Sequence, residues 1–424
     1  RAEVGDSNSL TVAAGDLIGG SPFLSGMFHD EPSVESLETL GLDVSSVGNH
    51  EFDEGSAELL RMQRGGCHPV DGCYYPDQPY DGASFTWLAA NVVKKSNGKP
   101  LLPPVAVRAV KGVKIGFIGM TLEATPTLVN PAGVASVDFK DEIETANAQA
   151  AALKKRGVKT IVVLLHEGGV NPSGISSCAG ISGPILAIAQ GITHEVDAII
   201  TGHTHEPYIC QIPDADGVAR LVTSAASYGQ VVTETTLVVD KATGEVDRSA
   251  SVAENHLVLR SIGKDPAETA VIAKWNTLAA PMAARIVGSH VEDILGDSNG
   301  NRGIETPMAD LVADAWLYGT ASAANGGAQI AFQNVGGTRA SFRVNSTPNG
   351  EQPGQITYAE AYAVVPFSNV MVTIDLTGEQ LRQALEQQFV PTRSRQWLAL
   401  GVSAGFSYAW DALAPQGSKV VPGS

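Results

Sequence analysis

Apolar and polar positions follow a repeated unit along the first half of the chain. A short aliphatic or β-branched run leads into a glycine-bearing loop, and a stretch with helical spacing comes next. The first run, 10–14, ends at Gly15-Asp16, and the next, 43–47, ends at Gly48-Asn49-His50. Between them 32–42 carries Val34, Leu37, Leu40 and Leu42 near helical spacing. A helix over 56–64 and a strand over 87–93 follow. Segments 105–110 and 113–120 read as a hairpin about Lys111-Gly112, and 141–156 as a helix closed by Gly157. The clearest buried strand, 158–165, runs into His166. After a helix over 183–191, the run 196–200 leads to Gly202-His203-Thr204-His205. Near-continuous apolar strands alternating with helices predict a sheet covered on both faces. Segment 218–239 reads as antiparallel strands broken at Gly229.

The pattern changes near residue 260. Asp265-Pro266-Ala267-Glu268 has the composition of a helix start, and Val271, Trp275 and Leu278 continue one apolar stripe. Beyond it lie an Ala-rich helix over 307–324, a strand over 328–333, the loop Asn334-Val335-Gly336-Gly337-Thr338-Arg339, and a strand over 370–376. Thr377-Gly378-Glu379-Gln380 then opens a helix with Leu381, Leu385 and Phe389 on one face. A chain of 424 residues is too long for one ordinary domain. The expected division is a domain over 1–262, a connecting helix over 263–287 and a second domain over 288–424.

Composition narrows the class. Hydrophobic content of 43% with 17% charged residues is that of a folded globular chain. A formal charge of -17 argues against a nucleic-acid polymer or an anionic membrane as partner, but not against a small anion held by metal ions or arginines. No apolar run reaches the ~18 residues of a membrane span, so no transmembrane segment is expected. Four cysteines suggest two disulfides, Cys67–Cys73 across a polar Pro/Gly-bearing loop and Cys178–Cys210, and hence an exported protein, periplasmic, cell-surface or extracellular.

The candidate chemistry lies where the strands end. Asp16, Asn49, His166 and the pair His203/His205 are metal-type ligands at four separate strand ends of one α/β region, a coincidence that points to a common metal site. His203 and His205 are two residues apart and share a face, so each can reach one of two divalent ions roughly 3.5–4 Å apart. Asp16, with two oxygens, suits a bridge between them. Two such ions clamp a phosphate and activate water for in-line displacement. His50 is left as a general acid or a donor to phosphoryl oxygens, with Asp53 to orient it. His29, His68, His194, His256 and His290 are read as structural or surface residues.

Gly-Asp, Gly-Asn-His-Glu-Phe-Asp, Leu-His-Glu-Gly and Gly-His-Thr-His, in this order, resemble the calcineurin-type metallophosphoesterases. The loop 334–339 resembles the Asn-Gly-Gly-Gly-x-Arg loop of the 5′-nucleotidase / UDP-sugar hydrolase family. Val365-Pro366-Phe367-Ser368-Asn369 resembles that family's Pro-Phe-Gly-Asn segment, and Asp375-Leu376-Thr377-Gly378 matches the step after it. The resemblance implies a layered α-β-β-α metallophosphoesterase domain and a second α/β substrate-binding domain joined by a helix. It implies Asp16 as bridging ligand, Asn49, His166 and His203 at one metal, and His205 at the other, the ions being zinc, manganese or similar. His50 becomes the catalytic histidine, with Asp53 as its partner. In the second domain Arg302, Asn334, Gly336, Gly337 and Arg339 would hold a nucleotide, and Phe367 would stack on its base.

Val335 and Ser368 replace glycines of the family pattern. Its upstream Asp-x-His motif and downstream Gly-Gly-Asp-Gly segment have no match, and trimmed termini are the expected reason. The implied activity is removal of phosphate from nucleotides, as a 5′-nucleotidase or UDP-sugar hydrolase. The alternatives are a 2′,3′-cyclic nucleotide phosphodiesterase or other phosphoester hydrolase and, from another class, a non-catalytic nucleotide-binding surface protein.

Overall fold

The computed structural model describes residues 5–296, 301–367, 369–393 and 395–424. The chain forms two compact units, Arg1–Gly20 with Ser25–Lys274, and Ser21–Leu24 with Trp275–Ser424. In the first unit β1 (Val12–Ala14), β2 (Val44–Ser46) and β3 (Thr86–Leu88) make a parallel sheet in that order. The next strands are β4 (Val92–Lys94), β5 (Val105–Val110), β6 (Val113–Thr121) and β7 (Val137–Phe139). They are followed by β8 (Thr160–His166), β9 (Ala198–Thr201), β10 (Tyr208–Pro213) and β11 (Ala219–Ser224). Of these β4 pairs with β7, and the others form a six-stranded sheet ordered β10-β11-β9-β8-β6-β5. That sheet is parallel from β6 to β11 and antiparallel at both edges.

Alternation along β8 explains the layering. Val162 and Leu164 pack with Val44, Leu88 and Phe117 between the two sheets. Ile161, Val163 and Leu165 point the other way, onto Ala146, Ala150 and Leu153 of the helix Glu142–Lys155 and onto Ile185 and Ile188. On the outer side of the three-stranded sheet, Trp87 and Ala89 meet Val34 of the helix Glu31–Leu40 and Leu59 and Met62 of the helix Ser56–Arg64. Helix, sheet, sheet and helix are thus stacked as expected. Both disulfides pair as expected, and no described helix is long and apolar enough to cross a membrane.

Three local expectations fail for definable reasons. The run 87–93 is split, with β3 and β4 in different sheets; Asn91 at the break donates to Thr121 O (2.6 Å) and Lys140 O (3.0 Å). In 218–239, β11 pairs with β9 and β10, while β12 (Val231–Val239) pairs with β13 (Val246–Leu257), so the two halves are not partners. In the second unit 370–376 is not a strand. Val370, Val372 and Ile374 are exposed, and no described segment pairs with them.

The second unit contains β14 (Ile286–Ser289), β15 (Phe332–Asn334), β16 (Gln355–Thr357) and β17 (Leu400–Val402), paired β14 with β16 and β15 with β17. Met308 and Val312 of the helix Pro307–Thr320 pack with Phe342 and Val364 as its core. Thr377 and Gln380 form the expected capping box of the helix Gly378–Glu386. Asp265 caps the helix Pro266–Ala283, accepting from the N–H groups of Ala267 (2.7 Å) and Glu268 (3.1 Å).

Candidate metal centre

Parallel strands deliver their C-terminal ends to one edge, and in the first unit β1, β2, β8 and β9 run directly into candidate ligands. One ligand atom from each of Asp16, His166 and His203 lies within 4.8 Å of the others. Asn49 Oδ1 is 3.0 Å from His203 Nδ1, which brings the fourth residue of the expected set to the same place. His205 is not a member of that group of three. Asp16, His203 and His205 have φ of 55°, 69° and 62°, a left-handed backbone that residues other than glycine rarely adopt. Strain of this kind persists where the surrounding structure enforces it, commonly at functional sites. Gly48 is needed for close approach, because a Cβ there would lie 2.2 Å from Asp16 Oδ1 and 2.8 Å from His166 Nδ1.

The protonation pattern of His166 tests whether these residues suit a cation. His166 is 1% exposed, and its Nδ1 donates to Ala14 O at 2.6 Å, so in the neutral imidazole Nε2 carries the lone pair. That Nε2 is 2.9 Å from Asp16 Oδ2, yet it has no aligned hydrogen bond. Two acceptor lone pairs this close repel unless a cation or a proton lies between them. The donor set of two imidazoles, a carboxylate and an amide oxygen suits a borderline divalent ion. Burial opposes charge on both His166 and Asp16. Even so, the Asp16 carboxylate raises the His166 imidazole, while His166 and then His50 hold Asp16 well below the usual carboxylate range.

His50 opens the single turn His50–Phe52 after β2, and its Nδ1 is 2.8 Å from Asp53 Oδ2. Its backbone N–H donates to Asp16 Oδ1 at 2.9 Å, which ties the two loops together. Burial raises the Asp53 carboxyl in spite of the imidazole beside it.

Sequence reasoning gave Glu51 no role. Its buried carboxylate accepts N–H bonds from Asp16 (2.9 Å), Leu17 (2.8 Å) and Gly48, and burial followed by the Asp16 charge pushes it up to about 7. Its position inside the Gly-Asn-His-Glu run was the available signal.

A second group, His29, Glu54, Glu58 and His68, also has ligand atoms within 4.8 Å of one another. Here both nitrogens of His29 already face carboxylates, Glu54 at 2.7 Å and Asp71 at 2.8 Å. Arg61 grips Glu58, and the His29 and His68 rings are stacked 3.6 Å apart. Parallel stacked rings do not aim two lone pairs at one ion, so this group is an ion-pair cluster.

The second unit arranges its candidates in two sets. The Arg302 side chain lies over the turn Val335–Gly337, since a Cβ on Gly336 would come 2.9 Å from Arg302 Nη1. A Cβ on Gly337 would lie 3.0 Å from Asn334 Oδ1. The Arg339 guanidinium sits 4.8 Å from the centroid of the Phe367 ring, and its backbone N–H donates to Val364 O at 2.8 Å. Ser368 lies outside the described residues.

Known proteins match along most of this length. Residues 2–207 match the calcineurin-like phosphoesterase family, and residues 286–423 match the 5′-nucleotidase C-terminal domain. The chain is 34% identical over 405 residues to the endonuclease YhcR of Bacillus subtilis (strain 168), covering 95% of this chain and 30% of that protein. It is 30% identical over 403 residues to the cell wall protein Lmo0130 of Listeria monocytogenes, covering 91% of this chain and 50% of that protein. It therefore spans half or less of the length of these two relatives. The solved structure of the 5′-nucleotidase precursor from Thermus thermophilus matches with a TM-score of 0.76 at 26% identity, covering 99% of this chain and 76% of that one.

Proposed function

Since the chain belongs to the calcineurin-like phosphoesterases that carry a 5′-nucleotidase C-terminal domain, we propose that it is a metal-dependent hydrolase releasing phosphate from nucleotides. The observation that carries this reading is the buried His166 Nε2 facing Asp16 across 2.9 Å, with the His50–Asp53 pair on the adjoining turn. Asp16, Asn49, His166 and His203 would hold one divalent ion, and His205 would serve a second. Such ions supply Lewis-acid charge neutralisation at the phosphoryl oxygens and a nucleophile at neutral pH.

The chain's own residues do the rest. Asp53 engages His50 Nδ1, so a proton passed to the leaving 5′-oxygen comes from His50 Nε2 as the P–O bond breaks. The Asp16 carboxylate also fixes the His50 backbone, which keeps acid and ligand in register. In the second unit Arg302, Arg339 and Asn334 would hold the nucleotide through charge and hydrogen bonds, while Phe367 offers a flat face to the base. The two disulfides support an oxidising, extracytoplasmic setting, in keeping with the cell wall relative.

Phosphate release from AMP with Mn²⁺ or Zn²⁺ tests the reading. Turnover by the wild type, lost in His50→Ala with metal content intact, is the expected result. No turnover of AMP, UDP-glucose or any other nucleotide with either metal would overturn it. Phosphodiester cleavage is a second reading, prompted by the name of the endonuclease relative. The charge of -17 directs it to small diesters, and 2′,3′-cyclic AMP in the same assay tests it.

A further inference from the structure

Glu51 enters neither the ligand set nor the His50–Asp53 pair, yet it is 2% exposed and bonded on both oxygens. Oε2 accepts from the N–H groups of Asp16 and Gly48, and Oε1 accepts from that of Leu17. Residues 16 and 17 follow β1, whereas Gly48 follows β2 and immediately precedes Asn49. The clamp is reciprocal, because Asp16 Oδ1 accepts from the His50 N–H at 2.9 Å. Asp16 is held with φ at 55°, a conformation that three hydrogen bonds to one carboxylate can enforce. A glutamine could not substitute, since an amide has a single acceptor oxygen for donors that arrive on both sides.

We propose that Glu51 is a positioning residue for the cation site, clamping the loops after β1 and β2 so that Asp16 and Asn49 present their oxygens to the same ion. The inference rests on reading Asp16, Asn49, His166 and His203 as ion ligands.

Calorimetric titration with Mn²⁺ tests it on wild type, Glu51→Gln, Glu51→Asp, Asp16→Asn and the core variant Leu153→Ala, with melting temperatures measured alongside. Loss of the carboxylate that holds the backbone beside the ligands predicts affinity about 10–100-fold weaker in Glu51→Gln. Glu51→Asp should fall in between, and kcat at saturating Mn²⁺ should stay near wild type. Leu153→Ala should melt lower and bind Mn²⁺ as the wild type does. Wild-type Mn²⁺ affinity in Glu51→Gln overturns the proposal, as does an equal loss of affinity in Leu153→Ala, which would mark the effect as general destabilisation. If Glu51→Gln does not fold, Glu51→Asp decides, because it is one methylene too short to span both loops and wild-type affinity there overturns the proposal. Wild-type Mn²⁺ affinity in Asp16→Asn would instead sink the ligand reading itself.

Discussion

Two clusters in the first unit gather histidines and carboxylates within 4.8 Å, and their chemistry differs. Around His166 the imidazole has committed one nitrogen to a backbone carbonyl and turns the other toward a carboxylate 2.9 Å away without an aligned hydrogen bond. Around His29 both nitrogens face carboxylates, the neighbouring ring is stacked upon it, and an arginine holds Glu58. Left-handed backbone does not separate them, for Asp16 and His203 share it with His29 and Asp30. What separates them is where each nitrogen's lone pair or proton goes. Donor type and proximity nominate a cation site, and the hydrogen bonding of each donor atom decides it.

That contrast can be broken most sharply at Asp16. Asp16→Asn keeps the shape and removes the charge that faces His166, so phosphate release from AMP should fall to background along with metal content measured by mass spectrometry. His50→Ala comes next, with kcat lowered about 10²–10⁴-fold and metal content unchanged, as expected for loss of a general acid. In the other cluster Glu58→Gln should leave both metal content and turnover where they were. A drop of one ion per chain would show that the ion-pair reading of that cluster is wrong.

The smallest effect is a pH dependence. Burial opposes charge on His29, yet Glu54 and Asp71 push it up from its ordinary 6.5 to about 9. A raised folded-state value means that the stabilisation is complete below about pH 6.5 and is lost as pH rises through about 9. His29→Asn, which tolerates the left-handed backbone, should therefore melt a few degrees below wild type at pH 6, with the gap closing by pH 10. A gap that does not change with pH would contradict the assignment.

The two units also differ in how far the sequence alone reveals them. Strand 160–166 was legible because it is buried on both faces and reads as an unbroken aliphatic run, and the candidate ligands stood out because they follow strand ends. Segment 370–376 has the same β-branched composition but no partner strand among the described residues, and β-propensity without a partner does not make a strand. The split at Asn91 was hidden because a buried side-chain amide bonding to two distant carbonyls leaves no periodic trace. Glu51 was visible in its motif, but its three donors come from two loops whose proximity only the fold reveals. A sheet covered on both faces follows from local pattern, and the layering of two sheets was implied only by the family resemblance; the contacts of individual polar atoms follow from tertiary geometry.

The central claim is that a cation sits among Asp16, Asn49, His166 and His203. Anomalous diffraction from crystals grown with Mn²⁺ measures this directly. The account predicts a peak bonded to His166 Nε2 and Asp16, and none beside His29. A map without density at His166, or with its density at the His29 cluster instead, would contradict it.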